Sequence, residues 1–339
     1  MSTYDDAVNA LRAALPPEPG LRDFVRFATL APNSHNTQPW KFRLGDDTVD
    51  VIPDFSRRTP VVDPDDHHLY VTLGCAVENL VVAANASGRP ADVAIRDEGT
   101  AGTSIRVALG RGATSDTALR DAIPARQSTR SVYDGRPLTG DELRELERAA
   151  ARPGVDVVFF TERPELEKAL EFIVAGNNAQ VDDLAFVREL KAWIRYNPSA
   201  ALETGDGLFG KCTGNPSVPD WLGPIVFDLA FRKGAEEKKL EKQLRSSAGL
   251  AVFAAGEESP AGWIDAGRSF ERFALQATAL GIRHAHVNMP VEVPSVRPAF
   301  ADWLGMPGRR PDLVVRFGRA AAMPMSARRP LEDVIVAGN

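Results

Sequence analysis

Residues 28–42 read ATLAPNSHNTQPWKF, and this run says more about the structure of the chain than any other segment. It combines side-chain amides and hydroxyls with two prolines that restrict the backbone. A flat heterocycle with alternating carbonyl and N–H groups would need a mixed polar edge of this kind. The same residue types are common in solvated turns, and composition alone favours that simpler interpretation. The positions concerned are Pro32, Asn33, Ser34, Asn36, Gln38 and Pro39.

Two basic segments suggest a site for an anion. Residues 126–130 read RQSTR, and in extended backbone Arg126, Ser128 and Arg130 would face the same side. Two guanidinium groups with a hydroxyl between them suit a phosphate in charge and shape. Residues 326–331, SARRPL, add two more cations at positions 328 and 329. Taken singly, each segment is more typical of a solvated basic turn or tail.

Composition limits the classes of protein that this chain can belong to. Its 339 residues are 44% hydrophobic and 25% charged, which suits one large domain or two ordinary ones with a real core. A net charge of −6 argues against a general nucleic-acid binder. No stretch approaches the roughly 18 apolar residues of a membrane helix, and residues 1–20 show no secretory signal. Cys75 and Cys212 lack metal-ligand spacing, so we expect no metal site and a cytoplasmic location.

Hydrophobic periodicity and stop signals predict an alternation of helices and strands. A capping-box pattern at residues 139–142 predicts the start of another helix. Residues 111–138 are expected to form a functional linker, and residues 200–224, dense in Gly, Pro and aromatics, to form a lid. The other expected helices cover residues 21–30, 69–87, 164–175, 181–194 and 266–281. The expected strands cover residues 40–44, 49–53, 103–110, 155–160, 249–256, 282–287 and 312–317.

The two parts of the chain resemble each other weakly. Residues 77–88 read VENLVVAANASG and residues 270–281 read FERFALQATALG, each an apolar helix with an Ala-rich end that stops at glycine. The alignment places Glu78 opposite Glu271. Two unrelated buried helices would explain this feature equally well.

Taken in order, these motifs resemble the nitroreductase family. The run at 28–42 is similar to the family's Pro-Ser-x-x-Asn-x-Gln-Pro-Trp signature, and residues 126–150 are similar to the family's opening element. Residues 262–292 resemble its central helix and the strand that enters the flavin site, and residues 324–335 resemble its closing basic element. Because the opening element follows the Gln-Pro-Trp loop here, the order resembles the fused-repeat Acg-type branch. The resemblance covers roughly residues 20–335.

This resemblance implies an α+β nitroreductase fold with two tandem degenerate copies that form an intramolecular pseudo-dimer. Central antiparallel-rich sheets would be flanked by helices, with a first half at 1–118 and a second half at 119–339. The implied cofactor is FMN. Its phosphate and pyrimidine edge would be held by Arg126, Ser128 and Arg130, joined by Arg328 or Arg329. The first half would contribute Pro32, Asn33, Ser34, Asn36 and Gln38, and Val287, Asn288 and Met289 would present a backbone N–H near flavin N5.

Departures from the family pattern predict one FMN per chain. A fused pseudo-dimer has two composite sites, each of which pairs the phosphate cradle of one half with the Asn/Gln loop of the other. The first half lacks a cradle, since residues 1–20 contain only Arg12, and the second half lacks a loop. Both parts of one site are therefore missing, while both parts of the other are present.

The resemblance leaves three functions open. The first is a flavin-dependent oxidoreductase that takes electrons from a reductant such as NAD(P)H and passes them to an organic acceptor. Flavin N5 would carry that chemistry without a catalytic side chain. His35, His284 and His286 are candidate proton donors, although each is more often structural. The second is an FMN storage protein with little turnover, and the third is a scaffold without flavin. An intramolecular dimer would allow the protein to be a monomer.

Overall fold

The computed structural model describes residues 3–114 and 117–337. Residues 115 and 116 of the predicted linker, and the terminal residues 1–2 and 338–339, lie outside the described residues. The strands are β1 (Trp40–Leu44), β2 (Thr48–Pro53), β3 (Ala91–Asp97), β4 (Thr103–Leu109), β5 (Val155–Phe160), β6 (Ile194–Arg195), β7 (Leu208–Phe209), β8 (Gly249–Ala255), β9 (Arg283–His286), β10 (Leu313–Gly318) and β11 (Ile335–Val336).

Helices are interspersed among these strands, which confirms the predicted α+β class. The α-helices are α1 (Tyr4–Leu11), α2 (Leu21–Ala28), α3 (His67–Asn85), α4 (Ala118–Ala122), α5 (Gly140–Ala150), α6 (Arg163–Asp182), α7 (Leu184–Ala192), α8 (Pro198–Thr204), α9 (Gly223–Ala230), α10 (Lys233–Arg245), α11 (Pro260–Ala279), α12 (Met289–Glu292), α13 (Arg297–Trp303) and α14 (Leu331–Val334).

Two antiparallel-rich sheets organise the fold, as predicted. The first has the strand order β11-β1-β2-β4-β3, and the second has the order β5-β8-β10-β9. Only the β11–β1 pair is parallel within these two sheets. In that pair Ile335, near the end of the chain, aligns with Phe42. Residues 335–336, which the sequence predicted in the second half, therefore complete the sheet of the first half.

Local signals explain where several helices begin. The predicted capping box is present at α5, where the Thr139 hydroxyl accepts a hydrogen bond from the Glu142 amide and the Glu142 carboxylate accepts one from the Thr139 amide. Helix α11 begins earlier than residue 266, because the Ser259 hydroxyl caps its first turn and Pro260 occupies its first position. Sequence patterns predicted the existence of these helices better than their ends.

Several elements were not predicted. The sequence of α10, KGAEEKKLEKQLR, is charged around most of its circumference, and it buries only Leu240, Gln243 and Leu244. Strand β3 alternates partly buried and exposed residues at the edge of the first sheet. The expected linker contains α4, and the expected lid includes the end of α8, β7 and the start of α9. Weak periodicity at the surface explains these omissions.

The two long helices α3 and α11 cross at the centre of the molecule, within one apolar core that reaches both sheets. At the crossing, a Cβ atom on Gly74 would lie 2.1 Å from the carbonyl oxygen of Ile264. A Cβ atom on Gly267 would lie 2.0 Å from the carbonyl oxygen of Val71. Both contacts are with backbone, so only glycine permits this approach.

This crossing has a symmetric register. Gly74 meets Ile264 and Gly267 meets Val71, and the two pairs are related by exchanging the helices. The same exchange places Glu78 on Glu271, which is the alignment that the weak internal repeat predicts. The packing therefore supports a relation between the two halves that sequence similarity alone left undecided.

We predict that Gly267→Ala destabilises the protein by at least about 2 kcal/mol, because the new methyl group must push two backbones apart. The free energy of unfolding in urea measures the effect. Gly234→Ala is the matched control, since a Cβ atom there meets nothing within 4 Å and the residue lies in α10. That control should be neutral or stabilising by up to about 1 kcal/mol. Equal effects of the two changes would refute the packing argument.

Candidate functional site

The segment 126–130 is held in extended form beside β9. The Thr129 amide donates to the His284 carbonyl at 2.8 Å, and Ser128 forms a parallel bridge with His284. Behind the segment, the buried Arg316 guanidinium donates to the carbonyls of Thr129 and Ser131 at 3.2 and 2.8 Å. These contacts use backbone groups, so the side chains at alternate positions remain directed away from the sheet.

Arg126, Ser128 and Arg130 line one small cavity of about 70 Å³. A third guanidinium, that of Arg12, enters the same cavity from the end of α1. Its position is fixed by bonds to the carbonyls of Val8 and Ser326 at 3.2 and 3.1 Å. The sequence pattern showed Arg12 only as the single arginine of residues 1–20 and did not assign it to a site. Nothing in its local sequence signals that α1 folds back onto residues 126–130.

The positive charge in this cavity is poorly compensated. Among the described residues, no hydrogen bond or ion pair is made by the Arg130 guanidinium, and burial lowers the pKa of Arg130. Burial and the neighbouring Arg126 lower the pKa of Arg12 to about 10. Guanidinium groups remain charged in this pH range. A bound anion would supply the negative charge that the protein does not provide in this cavity.

Glu271 on α11 lies 3.4 Å from the Nε atom of Arg126 and is completely buried. Burial raises its pKa to about 8, against a lowering effect of Arg126. Apart from a weak contact with the Asn79 side chain, neither carboxyl oxygen has a hydrogen-bond partner of good geometry among the described residues. At neutral pH this carboxyl group therefore keeps its proton, and it leaves the charge of Arg126 available to the cavity.

A larger cavity of about 180 Å³ adjoins the small one, and the two share Pro32, Asn33 and Arg130 as walls. Three imidazoles line it. Burial lowers the pKa of His35 to about 4 and that of His286 to about 3, and it also lowers the pKa of His68. All three rings are neutral near pH 7. The remaining walls are Ser34, Val71, Thr72, Cys75, Phe270, Asn288, Met289, Glu292 and Leu313.

The other predicted proton donor, His284, does not line either cavity. Its ring is fully buried and lies against Phe270 and Phe273, with both ring nitrogens unpartnered among the described residues. Burial lowers its pKa well below the usual range. We therefore assign His284 to the support of the segment 126–130.

The Asn/Gln loop has an unusual backbone. His35, Asn36 and Gln38 have φ values of 47°, 56° and 54°, in the left-handed region that such residues enter only when surrounding contacts hold them there. The Asn33 side chain accepts from the Gln38 amide at 2.9 Å, which ties the ends of the loop together. Pro32, Asn33 and Ser34 line the larger cavity, and Asn36 lines only the small one.

Gln38 does not reach either cavity. Its amide group donates to the Gly205 carbonyl at 2.8 Å and accepts from the Arg329 amide at 2.9 Å. The Asn36 side chain likewise donates to the carbonyls of Gly207 and Ala327 at 3.1 and 3.2 Å. These two residues therefore fasten the segment after α8, and the closing basic element, to the loop.

The two arginines of the closing element do not line the cavities either. Arg328 donates to the carbonyls of Thr29 and Leu30 at the end of α2, at 2.6 and 3.2 Å, and to the Asn36 side chain at 3.0 Å. It therefore caps α2. The Arg329 guanidinium donates to the Asp333 carbonyl at 2.9 Å.

Residues 287–289 connect β9 to α12 at the wall of the larger cavity. Asn288 and Met289 line the cavity, and Val287 packs into the neighbouring core. Helix α6 passes very close behind them, since a Cβ atom on Gly176 would lie 2.7 Å from the Met289 carbonyl oxygen. Among the described residues, the amides of Asn288 and Met289 donate to no protein acceptor. The wall of the larger cavity thus includes two residues whose backbone N–H groups have no acceptor among the described residues.

A third cavity of about 480 Å³ lies between the predicted lid and the site. It reaches His35 and Arg130, and its other walls come largely from apolar residues of α7 and α9 and the segment between them. Ion pairs of Asp206 with Arg57 and with Arg195 hold the beginning of the lid in place. The predicted lid segment and the residues His35 and Arg130 therefore line a common cavity.

Comparisons with known proteins agree with the resemblance. No family model matches the chain. A provisionally named NAD(P)H nitroreductase, Rv3131, of Mycobacterium tuberculosis strain H37Rv is 27% identical over 96% of this chain and 94% of its own length. The provisionally named NAD(P)H nitroreductase acg of the same strain is 24% identical over 93% of this chain and 94% of its own length.

The predicted resemblance to nitroreductases of the Acg type is confirmed. Both relatives match nearly from end to end, so they are close to this chain in length. Among solved structures, the FMN-dependent nitroreductase NfnB of Mycobacterium smegmatis, in complex with NADPH, is 15% identical with a TM-score of 0.42. That match covers 64% of this chain and 96% of the other.

We predict that Glu271→Gln changes how stability depends on pH. The folded protein holds the Glu271 proton more tightly than the unfolded chain, whose carboxyl titrates near pH 4.5. This stabilisation is complete below pH 4.5 and is lost as the pH rises through about 8, at up to about 1 kcal/mol per pH unit. The amide variant should lack this slope in urea unfolding, whereas Glu332→Gln, at an exposed position, should retain it. Identical slopes in all three proteins would contradict the buried-proton assignment.

Proposed function

We propose that this protein binds one FMN per chain and acts as a nitroreductase-like oxidoreductase. The observation that carries the proposal is the unpaired Arg130 guanidinium at the junction of the two adjoining cavities. A phosphate ester with a flat heterocycle matches that arrangement, since the anion fits the arginine-lined cavity and the ring fits the neighbouring one. The relatives' names and the predicted motifs support the same assignment.

The phosphate would be held by residues from three distant parts of the chain. Arg126, Ser128 and Arg130 provide the extended segment, Arg12 closes the cavity from α1, and Ser326 completes its wall. Charge-assisted hydrogen bonds from guanidinium groups to phosphate are among the strong ones in proteins. Because Glu271 keeps its proton at neutral pH, the protein itself does not neutralise Arg126.

The heterocycle would lie in the larger cavity between the loop residues 32–35 and the wall at Asn288 and Met289. Asn33 and Ser34 supply amide and hydroxyl groups to its polar edge, and the backbone N–H groups at 288–289 supply donors. FMN held there would supply the transfer of a hydride from a reductant and of two electrons to an organic acceptor. The residues of the chain bind, orient and shield it.

The cavity beneath the lid suits the second substrate. It is predominantly apolar and it opens onto His35 and Arg130, beside the proposed position of the heterocycle. A nicotinamide, a nitroaromatic or a quinone is flat and mainly apolar, so each would suit such a wall. This space favours turnover with NAD(P)H over the alternative of storage behind a closed lid.

We further propose that the protein works in the cytoplasm as a monomer with an internal pseudo-dimer. None of the helices in residues 3–114 and 117–337 is long and apolar enough to cross a membrane. Cys75 and Cys212 are both buried and free. The symmetric α3–α11 crossing would take the place of a dimer interface.

Replacement of the cavity arginines should weaken FMN binding. Arg130→Ala removes a charge-assisted contact worth roughly 1.5–3 kcal/mol, so we expect the dissociation constant to rise roughly 10- to 100-fold in a fluorescence titration. Arg12→Ala should weaken FMN binding but leave riboflavin binding unchanged, because Arg12 lines the small cavity and does not line the larger one. Arg245→Ala, at an exposed ion pair, should have no effect. Unchanged FMN affinity in both cavity variants would refute the cradle.

Anaerobic NAD(P)H should bleach the bound flavin, measured by absorbance, with close to one flavin per chain. Val226 of α9 lines the lid cavity, so Val226→Trp should slow this reduction and leave the flavin content unchanged. Ile225→Trp is the matched control, because Ile225 is adjacent on α9 and is exposed. If only dithionite bleached the flavin, the storage alternative would replace the proposed activity.

A further inference from the structure

A chain of hydrogen bonds leads from the larger cavity through the protein interior. The His67 and His68 rings at the start of α3 face each other, with their Nδ1 atoms 3.3 Å apart. The other nitrogen of His67 lies 2.6 Å from the Asp312 carboxylate at the start of β10. The other nitrogen of His68 faces the larger cavity, 3.5 Å from the Asn288 side-chain amide.

The far end of this chain meets a different cavity. Asp312 lies at the wall of a cleft whose rim is formed by the exposed residues Gly256, Glu257 and Gly308. Asp312 also accepts a hydrogen bond from the Ala255 amide, which leaves its other oxygen directed at His67. The three side chains are therefore the connection between a surface cleft and the proposed flavin cavity.

We propose that Asp312, His67 and His68 form a proton relay that supplies the cavity from the outer cleft. The proposal rests on the proposed function, because reduction of a quinone or a nitro group by hydride consumes one further proton for each hydride. None of these three residues was singled out from the sequence.

The relay transfers a proton without forming a charged imidazole at any step. In the first state, Asp312 is protonated and donates to Nε2 of His67. His67 then donates from Nδ1 to Nδ1 of His68, and His68 donates from Nε2 into the cavity. When the cavity takes that proton, each donor is refilled by the one behind it, so one passage leaves Asp312 ionised and both rings in the opposite tautomer. The next passage requires Asp312 to take a proton from water in the cleft and both rings to return to their first tautomers. The second state has His68 protonated on Nδ1 and His67 on Nε2, with Asp312 ionised.

Local electrostatics suits this neutral relay. Burial lowers the pKa of His67 to about 3, so neither state places a charge on its ring. Burial raises the pKa of Asp312 to about 7, so the group exchanges its proton near neutral pH. The charged and titratable groups that face the relay are Asp63, Asp65, Glu292, Arg297, Arg309, Arg310, His35 and His286.

The neighbouring Asp63 raises a competing explanation, since it lies close enough to both rings for the three to share a metal ion. Its two oxygens, however, accept from the amides of His68 and Leu69 at 2.9 and 3.0 Å, as a cap on α3. The facing ring nitrogens are satisfied by each other. The hydrogen bonds therefore account for the cluster without an ion.

The relay is tested directly by nitrogen-15 NMR of the histidine rings, of which the chain has five. We expect the protonated nitrogen to move from Nδ1 to Nε2 in His67, and from Nε2 to Nδ1 in His68, with a shared midpoint near pH 7. This readout does not need a bound flavin, so it separates the failure of the relay from the failure of the proposed function. The proposal would be overturned if both tautomers stayed fixed from about pH 5.5 to about pH 8.5, roughly 1.5 units either side of that midpoint. Formation of charged rings would also overturn it.

Asp312→Asn supplies a second test. The amide can still donate to His67 but cannot release a proton, so both rings should stay in the first state at every pH. With a quinone acceptor, turnover should fall roughly 100-fold and its solvent deuterium effect should change, while FMN affinity should not. Asp65→Asn is the control, because it removes an equal charge beside Arg310 outside the relay. Stoichiometric Zn²⁺ binding that removed both ring N–H signals would overturn the relay in favour of a metal site.

Discussion

The backbone contact between α3 and α11 is the constraint on which the rest of the structure depends. Gly74 and Gly267 let these helices approach at a distance that any side chain would prevent. Helix α3 packs on α2 and on β2 of the first sheet, and α11 packs on β8 of the second. The position of one sheet relative to the other is thus set at the crossing. The crossing also sets the distance between the Asn/Gln loop, which follows α2, and the segment 126–130, which is bound to β9.

Buried charge near this crossing is divided unequally between two symmetric positions. Glu78 pairs with Arg268 and Arg272 of α11, at 2.8 and 3.1 Å, and it links the helices. Glu271, its counterpart, forms no close ion pair among the described residues, lies 3.4 Å from the Nε atom of Arg126, and holds a proton instead. Glu78 therefore contributes to the packing of the two halves, whereas Glu271 leaves the charge of Arg126 available to the cavity. This asymmetry agrees with a pseudo-dimer that retains one of two sites.

The fold class, the two sheets and most long elements were predictable, because periodicity and capping signals are local. The same holds for the grouping of Arg126, Ser128 and Arg130, which needs only an extended backbone. Arg12 and His68 could not be predicted as cavity residues. Their places depend on tertiary packing, of α1 against α8 and of α3 against the second half, and no local pattern reports such contacts.

Motif similarity also misjudged how individual side chains are used. Arg328 has the charge of a phosphate ligand, but its donors are taken by carbonyls at the end of α2. A motif specifies residue types, whereas the hydrogen-bond partners that decide a role lie elsewhere in the chain. The buried Gln38 illustrates the same point, because its partners are Gly205 and Arg329.

The hydrogen bonds of Gln38 and Asn36 limit how the predicted lid can move. Their bonds to Gly205 and Gly207, with the ion pairs of Asp206, fix the segment after α8 to the loop that lines the cavity. Opening at that point would break several buried hydrogen bonds and two ion pairs at once, and each hydrogen bond is worth roughly 0.5–1.5 kcal/mol relative to hydration by water. The part containing α9 has exposed apolar residues and fewer such bonds. If the protein has the proposed function, substrate entry would therefore be easiest by movement of α9, which would leave the Asn/Gln loop and its left-handed residues undisturbed.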